Sequence, residues 1–253
     1  MLPLHDKNPT LHTAYATIAI IVLNVLAWIF VQHLGSAAGI ARSLCTLALI
    51  PGELLHLADA GTLIPVGHGI ACQLEAGAPL YTVVTSMFLH GGWLHIGGNM
   101  LFLWVFGDNV EDALGTARFV MFYLLCGLAA AAAQIATDPA SVAPMVGASG
   151  AIAGVLGAYM RLYPSARVQT LVFLGIFATI VAIPAWVLLG MWFGLQLLSG
   201  LPALGRLGGD GGVAFWAHIG GFVAGVLLIG PMHNPALLAE HRAFGRRQSA
   251  RWR

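Results

Sequence analysis

The sequence has very little charge. Only 8% of its 253 residues are Asp, Glu, Lys or Arg, whereas an ordinary soluble domain carries roughly 25%. Because 58% of the residues are hydrophobic, the chain cannot cover its surface with groups that water solvates. The formal net charge of +1 offers no basic surface to a nucleic acid. The composition therefore argues against a soluble domain and a nucleic-acid-binding protein, and it favours a chain embedded in a lipid bilayer.

The chain also lacks the motifs of several hydrolases. The zinc-binding pattern His-Glu-x-x-His is absent. The pattern Gly-x-Ser-x-Gly of α/β-hydrolases is incomplete, since Ala151 stands four residues after Gly147. Asp210 lies in a glycine-rich stretch outside the apolar runs, which does not fit an aspartyl intramembrane protease. No inverted repeat of a transporter is visible. No metal and no cofactor are expected.

Six apolar runs, separated by Gly, Pro or charge, predict six transmembrane helices. They cover residues 13–33, 92–109, 117–137, 148–161, 169–198 and 213–231. The fourth run is short, so we expect its first turn, which contains Ser149, to begin below the membrane surface. Pro184 is expected to kink the fifth run. The sequence thus predicts an all-α membrane protein, a six-helix bundle that contacts the lipid bilayer.

The cationic residues predict the orientation, because cytoplasmic segments are enriched in them. With six spans, nine of the eleven fall on one side: Lys7, Arg118, Arg161, Arg167, Arg242, Arg246, Arg247, Arg251 and Arg253. We therefore expect both termini in the cytoplasm and residues 34–91, 138–147 and 199–212 outside. Residues 1–12 form a short cytoplasmic N-terminus, 13–231 the multi-pass domain and 232–253 a basic cytoplasmic tail.

The external segment 34–91 is too long for a plain connection. It mixes leucines with few charges, so we expect it to lie partly in the membrane interface. It contains Cys45 and Cys72, which either form a disulfide or remain small buried hydrophobic residues. Cys126 falls inside the third predicted span.

Polar residues inside predicted spans are candidates for function, since burying them in lipid is costly. Ser149 lies at the mouth of the fourth span and His218 lies in the sixth. Small residues surround both: Gly150, Ala153, Gly154 and Gly157 near the serine, and Ala217, Gly221 and Gly225 near the histidine. Such faces allow close helix packing, which would bring the serine to a base that activates it. The alternatives are small residues that serve packing alone and a structural histidine.

His95 and Asn99 are four residues apart and share one helical face. Both side chains can donate hydrogen bonds to an oxygen that develops negative charge during acyl transfer. The backbone N–H of Ser149, at a helix N-terminus, would add a third donor. The alternative for Asn99 is an ordinary hydrogen bond between two helices.

Together these residues resemble the rhomboid intramembrane proteases. The resemblance rests on three motifs and covers about residues 80–230: His95-x-x-x-Asn99, Gly147-Ala148-Ser149-Gly150, and the run 217–225 that reads Ala-His-Ile-Gly-Gly-Phe-Val-Ala-Gly. It implies a catalytic dyad of Ser149 and His218, and an oxyanion and substrate-binding site with His95, Asn99, Gly147 and Ala148. It also implies substrates with a single membrane span and a location in a bacterial inner membrane.

Two further expectations follow from the resemblance, and the chain departs from the family at one position. Residues 177–192 and the glycine-rich stretch 208–212 would control lateral access to the site. Glu111 would bond to backbone in a structural role. Many relatives have Phe or Tyr four residues after the serine, packed on the catalytic imidazole, whereas this chain has Ala153. The group that orients His218 is therefore unassigned, and a catalytically inactive rhomboid-like protein that binds membrane clients is the alternative function.

Overall fold

A computed structural model describes residues 1–67, 69–175, 177–201 and 214–251. The described chain is mostly helical. The first half contains β1 (Leu2–Asp6), α1 (Tyr15–Leu26), α2 (Ala37–Leu47), α3 (Pro51–Leu54), β2 (Leu63–Gly67), β3 (Ile70–Gln73), α4 (Thr82–Thr85), α5 (Trp93–Leu114) and α6 (Thr116–Thr137). The second half contains α7 (Ser149–Leu162), β4 (Arg167–Leu174), β5 (Phe177–Pro184), α8 (Ala185–Gly200), α9 (Phe215–Met232) and α10 (Pro235–Arg251). The stretches 202–213 and 252–253, with Arg206, Asp210 and Gly208–Gly212, lie outside the described residues.

Apolar helices form the body of the molecule. Five of the predicted runs coincide with α1, α5, α6, α7 and α9, and α1 continues as a π-helical turn over Ala27–Val31. Among the described residues, α6 and α9 are long and apolar enough to cross a bilayer by length and composition. The apolar helices Tyr15–Val31 and Ala185–Gly200 are shorter. The main core lies where α5, α6, α7 and α9 pack together.

The prediction of one kinked helix over residues 169–198 is wrong. Strands β4 and β5 form an antiparallel hairpin from the pair Arg167 and Pro184 to the pair Leu174 and Phe177. Helix α8 begins only after Pro184. Val, Ile and Thr are frequent in this hairpin, and their branched side chains favour strands. Pro184 ends the strand and precedes the helix, where its missing N–H removes no helical hydrogen bond.

The predicted N-terminal segment 1–12 is not a plain extension, because β1 completes a three-stranded sheet in the order β1-β4-β5. Its register runs from Leu2 opposite Leu171 to Asp6 opposite Val168. The Tyr159 hydroxyl on α7 donates a hydrogen bond to the buried Asp6 carboxyl. Burial raises the pKa of Asp6 to about 7. The sheet is thus fastened to the end of α7 that lies away from Ser149.

The predicted tail 232–253 is also structured, as helix α10 over Pro235–Arg251. His241 on this helix lies with its Nε2 atom 2.7 Å from the Pro9 carbonyl oxygen. The two terminal segments therefore meet each other.

The segment 34–91 folds into α2, α3, the β2–β3 hairpin and α4. Cys45 after the middle of α2 and Cys72 on β3 form a disulfide. Cys126, within α6, is buried and free. Backbone hydrogen bonds between Leu49 and Met145, of 3.2 and 2.7 Å, link this segment to the loop that leads to Ser149.

Glu111 has the structural role that was predicted. Its buried carboxylate on α5 accepts hydrogen bonds from the backbone N–H groups of Ala16 and Thr17, at 2.9 and 2.8 Å. These groups belong to the first turn of α1, which has no partners for them within the helix. Because a helix N-terminus carries partial positive charge, a carboxylate there stabilises α1 and fixes it to α5.

Candidate active site

Helices α7 and α9 approach each other through glycine. An ideal Cβ atom on Gly221 would lie 2.0 Å from the carbonyl oxygen of Gly150, and one on Gly225 would lie 1.9 Å from that of Gly154. Any side chain at these two positions of α9 would therefore force the backbones apart. The predicted contact between the two faces of small residues is confirmed.

This contact brings Ser149 to His218. Ser149 is the first residue of α7, and His218 lies in the first turn of α9. The Ser149 Oγ atom lies 2.8 Å from the His218 Nε2 atom, within hydrogen-bond distance. Both residues are half-buried. The two residues that were singled out from the sequence as nucleophile and base are thus direct neighbours.

The other nitrogen of His218 contacts helix α8. Its Nδ1 atom lies 2.8 Å from the Oε1 atom of Gln196. The Trp192 ring, one turn earlier on α8, lies beside the imidazole with 5.9 Å between ring centroids. Gln196 was not predicted from the sequence, although an amide inside an uncharged apolar run meets the criterion that singled out Ser149 and Asn99.

Asn99, one turn after His95 on α5, has an unused donor. It is 8% exposed, and within the described part of the chain its Nδ2 group has no hydrogen-bond partner. Leaving such a group unpaired in the folded state costs about 1–3 kcal/mol. An unpaired buried donor fits a group that serves a ligand or a reaction intermediate.

His95 presents a second donor. Its Nδ1 atom accepts a hydrogen bond of 3.2 Å from the Gly91 backbone N–H, so its Nε2 atom carries the proton when the ring is neutral. Gly147 separates His95 from the serine: a Cβ atom there would lie 2.7 Å from His95 Nε2 and 3.5 Å from Ser149 Oγ. Its φ of +126° also favours glycine. The absence of a side chain leaves the His95 donor open towards Ser149.

A small cavity of about 40 Å³ adjoins the serine. Its lining includes Ser86, Met145, Gly147, Ser149 and Ala217. Space of this size accommodates a water molecule. Ala148, the residue before the serine, is fully buried and forms the N-cap position of α7.

The described chain is thus a bundle of apolar helices, with a half-buried polar site where a serine and a histidine from two of its helices are in contact. A comparison with protein families gives this class a name, since residues 78–235 match the rhomboid domain. The chain belongs to the rhomboid family.

Several named relatives are similar to the chain. Rhomboid protein 1, mitochondrial, of Saccharomyces cerevisiae is 31% identical over 150 residues, which are 58% of this chain and 40% of that protein. Rhomboid protease GluP of Bacillus subtilis is 33% identical over 156 residues, 62% of this chain and 27% of that protein. RHOMBOID-like protein 6, mitochondrial, of Arabidopsis thaliana is 27% identical over 196 residues, 70% and 63% of the two chains. The matched part is thus less than half of the first two relatives.

Proposed function

We propose that the protein is an intramembrane serine endopeptidase that cleaves single-span membrane proteins within or near their transmembrane segment. The observation on which the proposal depends is the 2.8 Å contact between Ser149 Oγ and His218 Nε2. A serine hydroxyl is a weak nucleophile until a neighbouring base accepts its proton, and His218 is placed to do so. Membership of a family that includes a named protease supports the same reaction.

The reaction takes two steps. Ser149 Oγ attacks the peptide carbonyl carbon while its proton passes to His218 Nε2, and that proton then goes to the leaving amine nitrogen as the C–N bond breaks. Water next attacks the acyl-enzyme ester, gives a proton to His218 and releases the carboxylic acid as Ser149 recovers its proton. The cavity beside Ser149 has room for that water.

Negative charge develops on the carbonyl oxygen in each step. The donors available to it are the Nδ2 group of Asn99, the Nε2 group of neutral His95 and backbone N–H groups at the start of α7. Donors fixed before the reaction stabilise such charge without having to reorganise. Gly147 leaves space for the oxygen between His95 and Ser149.

The location of the site follows from the proposed membrane topology. Six spans, α1, α5, α6, α7, α8 and α9, would place both termini in the cytoplasm of a bacterium and Ser149 towards the outer face of its inner membrane. The Cys45–Cys72 disulfide agrees with an external, oxidising location for that loop. Substrates would approach from the bilayer, each presenting one helix whose outer end unwinds.

The proposal is tested with purified protein in liposomes and a generic single-span reporter. Ser149→Ala and His218→Ala should each abolish cleavage while the thermal unfolding transition is retained. The double variant should be no worse than either single variant, because the two residues act as one unit. Ser199→Ala, an exposed serine on α8, is the matched control and should cleave at the wild-type rate. Cleavage by Ser149→Ala would refute the proposal, and a folded wild type that binds but never cleaves the reporter would point to a client-binding protein.

A further inference from the structure

The amide of Gln196 has a defined partner at the site. Its Oε1 atom lies 2.8 Å from His218 Nδ1, and a carbonyl oxygen can only accept a hydrogen bond. His218 Nδ1 must therefore carry the proton in this arrangement. In the neutral ring the lone pair is then on Nε2, the atom that lies 2.8 Å from Ser149 Oγ.

Chemistry at Ser149 needs this tautomer. A base accepts the serine proton only with a free lone pair on the nitrogen that faces the hydroxyl. With the proton on Nε2, the imidazole would be a donor to Ser149 and could not activate it. In serine proteases of other folds, loss of the correct tautomer lowers turnover by about four orders of magnitude.

No other described group takes this role. The residue one turn after the serine, Ala153, has only a methyl side chain and offers no hydrogen-bond acceptor. The Trp192 ring limits the space on one side of His218 but contributes no acceptor at Nδ1. An acidic partner of His218 is likewise absent from the salt bridges and hydrogen bonds of the described chain.

We propose that Gln196 is the positioning residue of His218: its Oε1 atom accepts the Nδ1–H hydrogen bond, fixes the tautomer and orients Nε2 towards Ser149. The inference deepens the proposed protease function and rests on it. A neutral amide can hold the imidazole without adding a charged side chain to an apolar environment, whereas a buried aspartate there would be costly.

The test compares two substitutions of similar size. Gln196→Met keeps an unbranched side chain but removes the strong acceptor, whereas Gln196→Glu keeps an oxygen in the same place. Gln196→Met should lower kcat roughly 10- to 1000-fold with little change in KM. Gln196→Glu should retain most of the wild-type kcat, because its oxygen can still accept the hydrogen bond. Labelling of Ser149 by a small fluorophosphonate should slow by the same factor, because this probe does not enter as a transmembrane helix. Leu195→Ala, on the exposed face of α8, is the control.

A spectroscopic measurement separates this inference from the proposed function. Nitrogen-15 NMR of His218 in the inactive Ser149→Ala background reports which ring nitrogen carries the proton. We expect protonated Nδ1 with Gln196 and a mixture of tautomers with Gln196→Met, whether or not the protein cleaves a reporter. An unchanged tautomer in Gln196→Met, or equal kcat for Gln196→Met and wild type, would overturn the inference.

An independent observation concerns the tip of the β4–β5 hairpin. Phe173, Phe177, Ile180 and Val181 are 62%, 71%, 57% and 43% exposed. Side chains alternate between the faces of a strand, and the register places Phe177 and Val181 on one face and Phe173 and Ile180 on the other. Exposed apolar side chains therefore occur on both faces of the tip, unlike a sheet that packs one face and exposes a polar one to water.

The surroundings of the hairpin favour lipid as the partner of these apolar side chains. No charged residue occurs between Arg167 and Arg206, and the hairpin joins two apolar helices, α7 and α8, at its two ends. The fourteen residues of α7 separate it from Ser149 by about 20 Å. The free edge of β5 has unpaired backbone groups, which the hydrocarbon centre of a bilayer does not tolerate.

We infer that the hairpin tip lies in the lipid interface of the leaflet opposite the Ser149 end, with its backbone at headgroup level and its aromatic side chains among the acyl chains. The proposal is tested with a nitroxide spin label on Phe177→Cys, and separately on Ile180→Cys, in liposomes. Both labels should collide more often with oxygen than with a water-soluble nickel chelate. A label on the exposed loop residue Ala140→Cys should show the reverse. Preferential collision with nickel would place the tip in water, and low collision with both would indicate a second copy of the chain; either result overturns the inference.

Discussion

Substituting Gly221 by Ala should disable the site by moving two helices, without touching a reactive group. The added Cβ atom would lie 2.0 Å from the Gly150 carbonyl oxygen, whereas carbon–oxygen contacts normally begin at about 3.3 Å. The obstacle is backbone, which cannot rotate away, so α7 and α9 must separate locally by about 1.3 Å. Gly150 adjoins Ser149, and Gly221 is one turn from His218. The 2.8 Å contact between Ser149 and His218 would then lengthen to about 4 Å, beyond a hydrogen bond.

The expected result is a loss of about 100-fold in kcat, the size of effect that a misplacement of 1 Å produces in a catalytic group. Overpacking should cost only about 1–3 kcal/mol of stability, so the protein should remain folded. Reporter cleavage in liposomes gives kcat, and fluorophosphonate labelling gives the reactivity of Ser149. Gly190→Ala is the matched control, because no atom outside the adjoining backbone of its own helix lies within 4 Å of the added methyl group. If Gly221→Ala cleaves within threefold of wild type, the close contact of α7 and α9 does not set the geometry of the site.

Three other predictions address separate parts of the molecule. Asn99→Ala should lower kcat by roughly 10- to 1000-fold with a smaller change in KM, and unchanged kcat with raised KM would assign Asn99 to substrate binding alone. The raised pKa of Asp6 means that the folded state binds a proton more tightly than the unfolded state, so stability should fall as pH rises from about 4 to 7, by up to about 4 kcal/mol. Thermal unfolding of Asp6→Asn should lack this dependence, whereas the exposed Asp59→Asn should retain it. Replacing Cys45 and Cys72 together by Ser should lower the unfolding free energy by about 3 kcal/mol, and an unchanged melting temperature would show that the bond does not constrain the loop.

The local pattern of apolar and small residues was sufficient to predict most of the helices and the contact between Ser149 and His218. Apolar runs of about 20 residues become helices because lipid offers no partner for the backbone. Small residues at a spacing of four, such as Gly221 and Gly225, mark the face where another helix approaches. The positions of Ser149 and His218 on such faces therefore predicted their contact, which the structure confirms.

Hydropathy could not predict the β4–β5 hairpin, since the hydropathy of an uncharged apolar run does not depend on whether the run folds as strands or as a helix. The decisive partner, β1, lies far away in the sequence. Gln196 was missed for a related reason. Whether an amide on α8 reaches His218 depends on the rotation of α8 about its axis, and this rotation is fixed by packing against α9, where Phe193 stacks on Phe222. Residues 177–192, which were predicted to form part of one gating helix, instead divide between strand β5 and helix α8.

The pairing of β1 with β4 determines when the sheet can form during synthesis of the chain. Leu2 pairs with Leu171, so the first strand is made long before its partner exists. At about 5–20 residues per second, a ribosome needs on the order of 10–30 s to reach β4. During this time α1, α5, α6 and α7 can form and pack, whereas Leu2–Asp6 have no strand to join. Closure of so long a loop is entropically costly until the helices hold its ends together. We therefore expect the sheet to form late in folding, so a slow final phase of refolding should disappear when β1 is deleted.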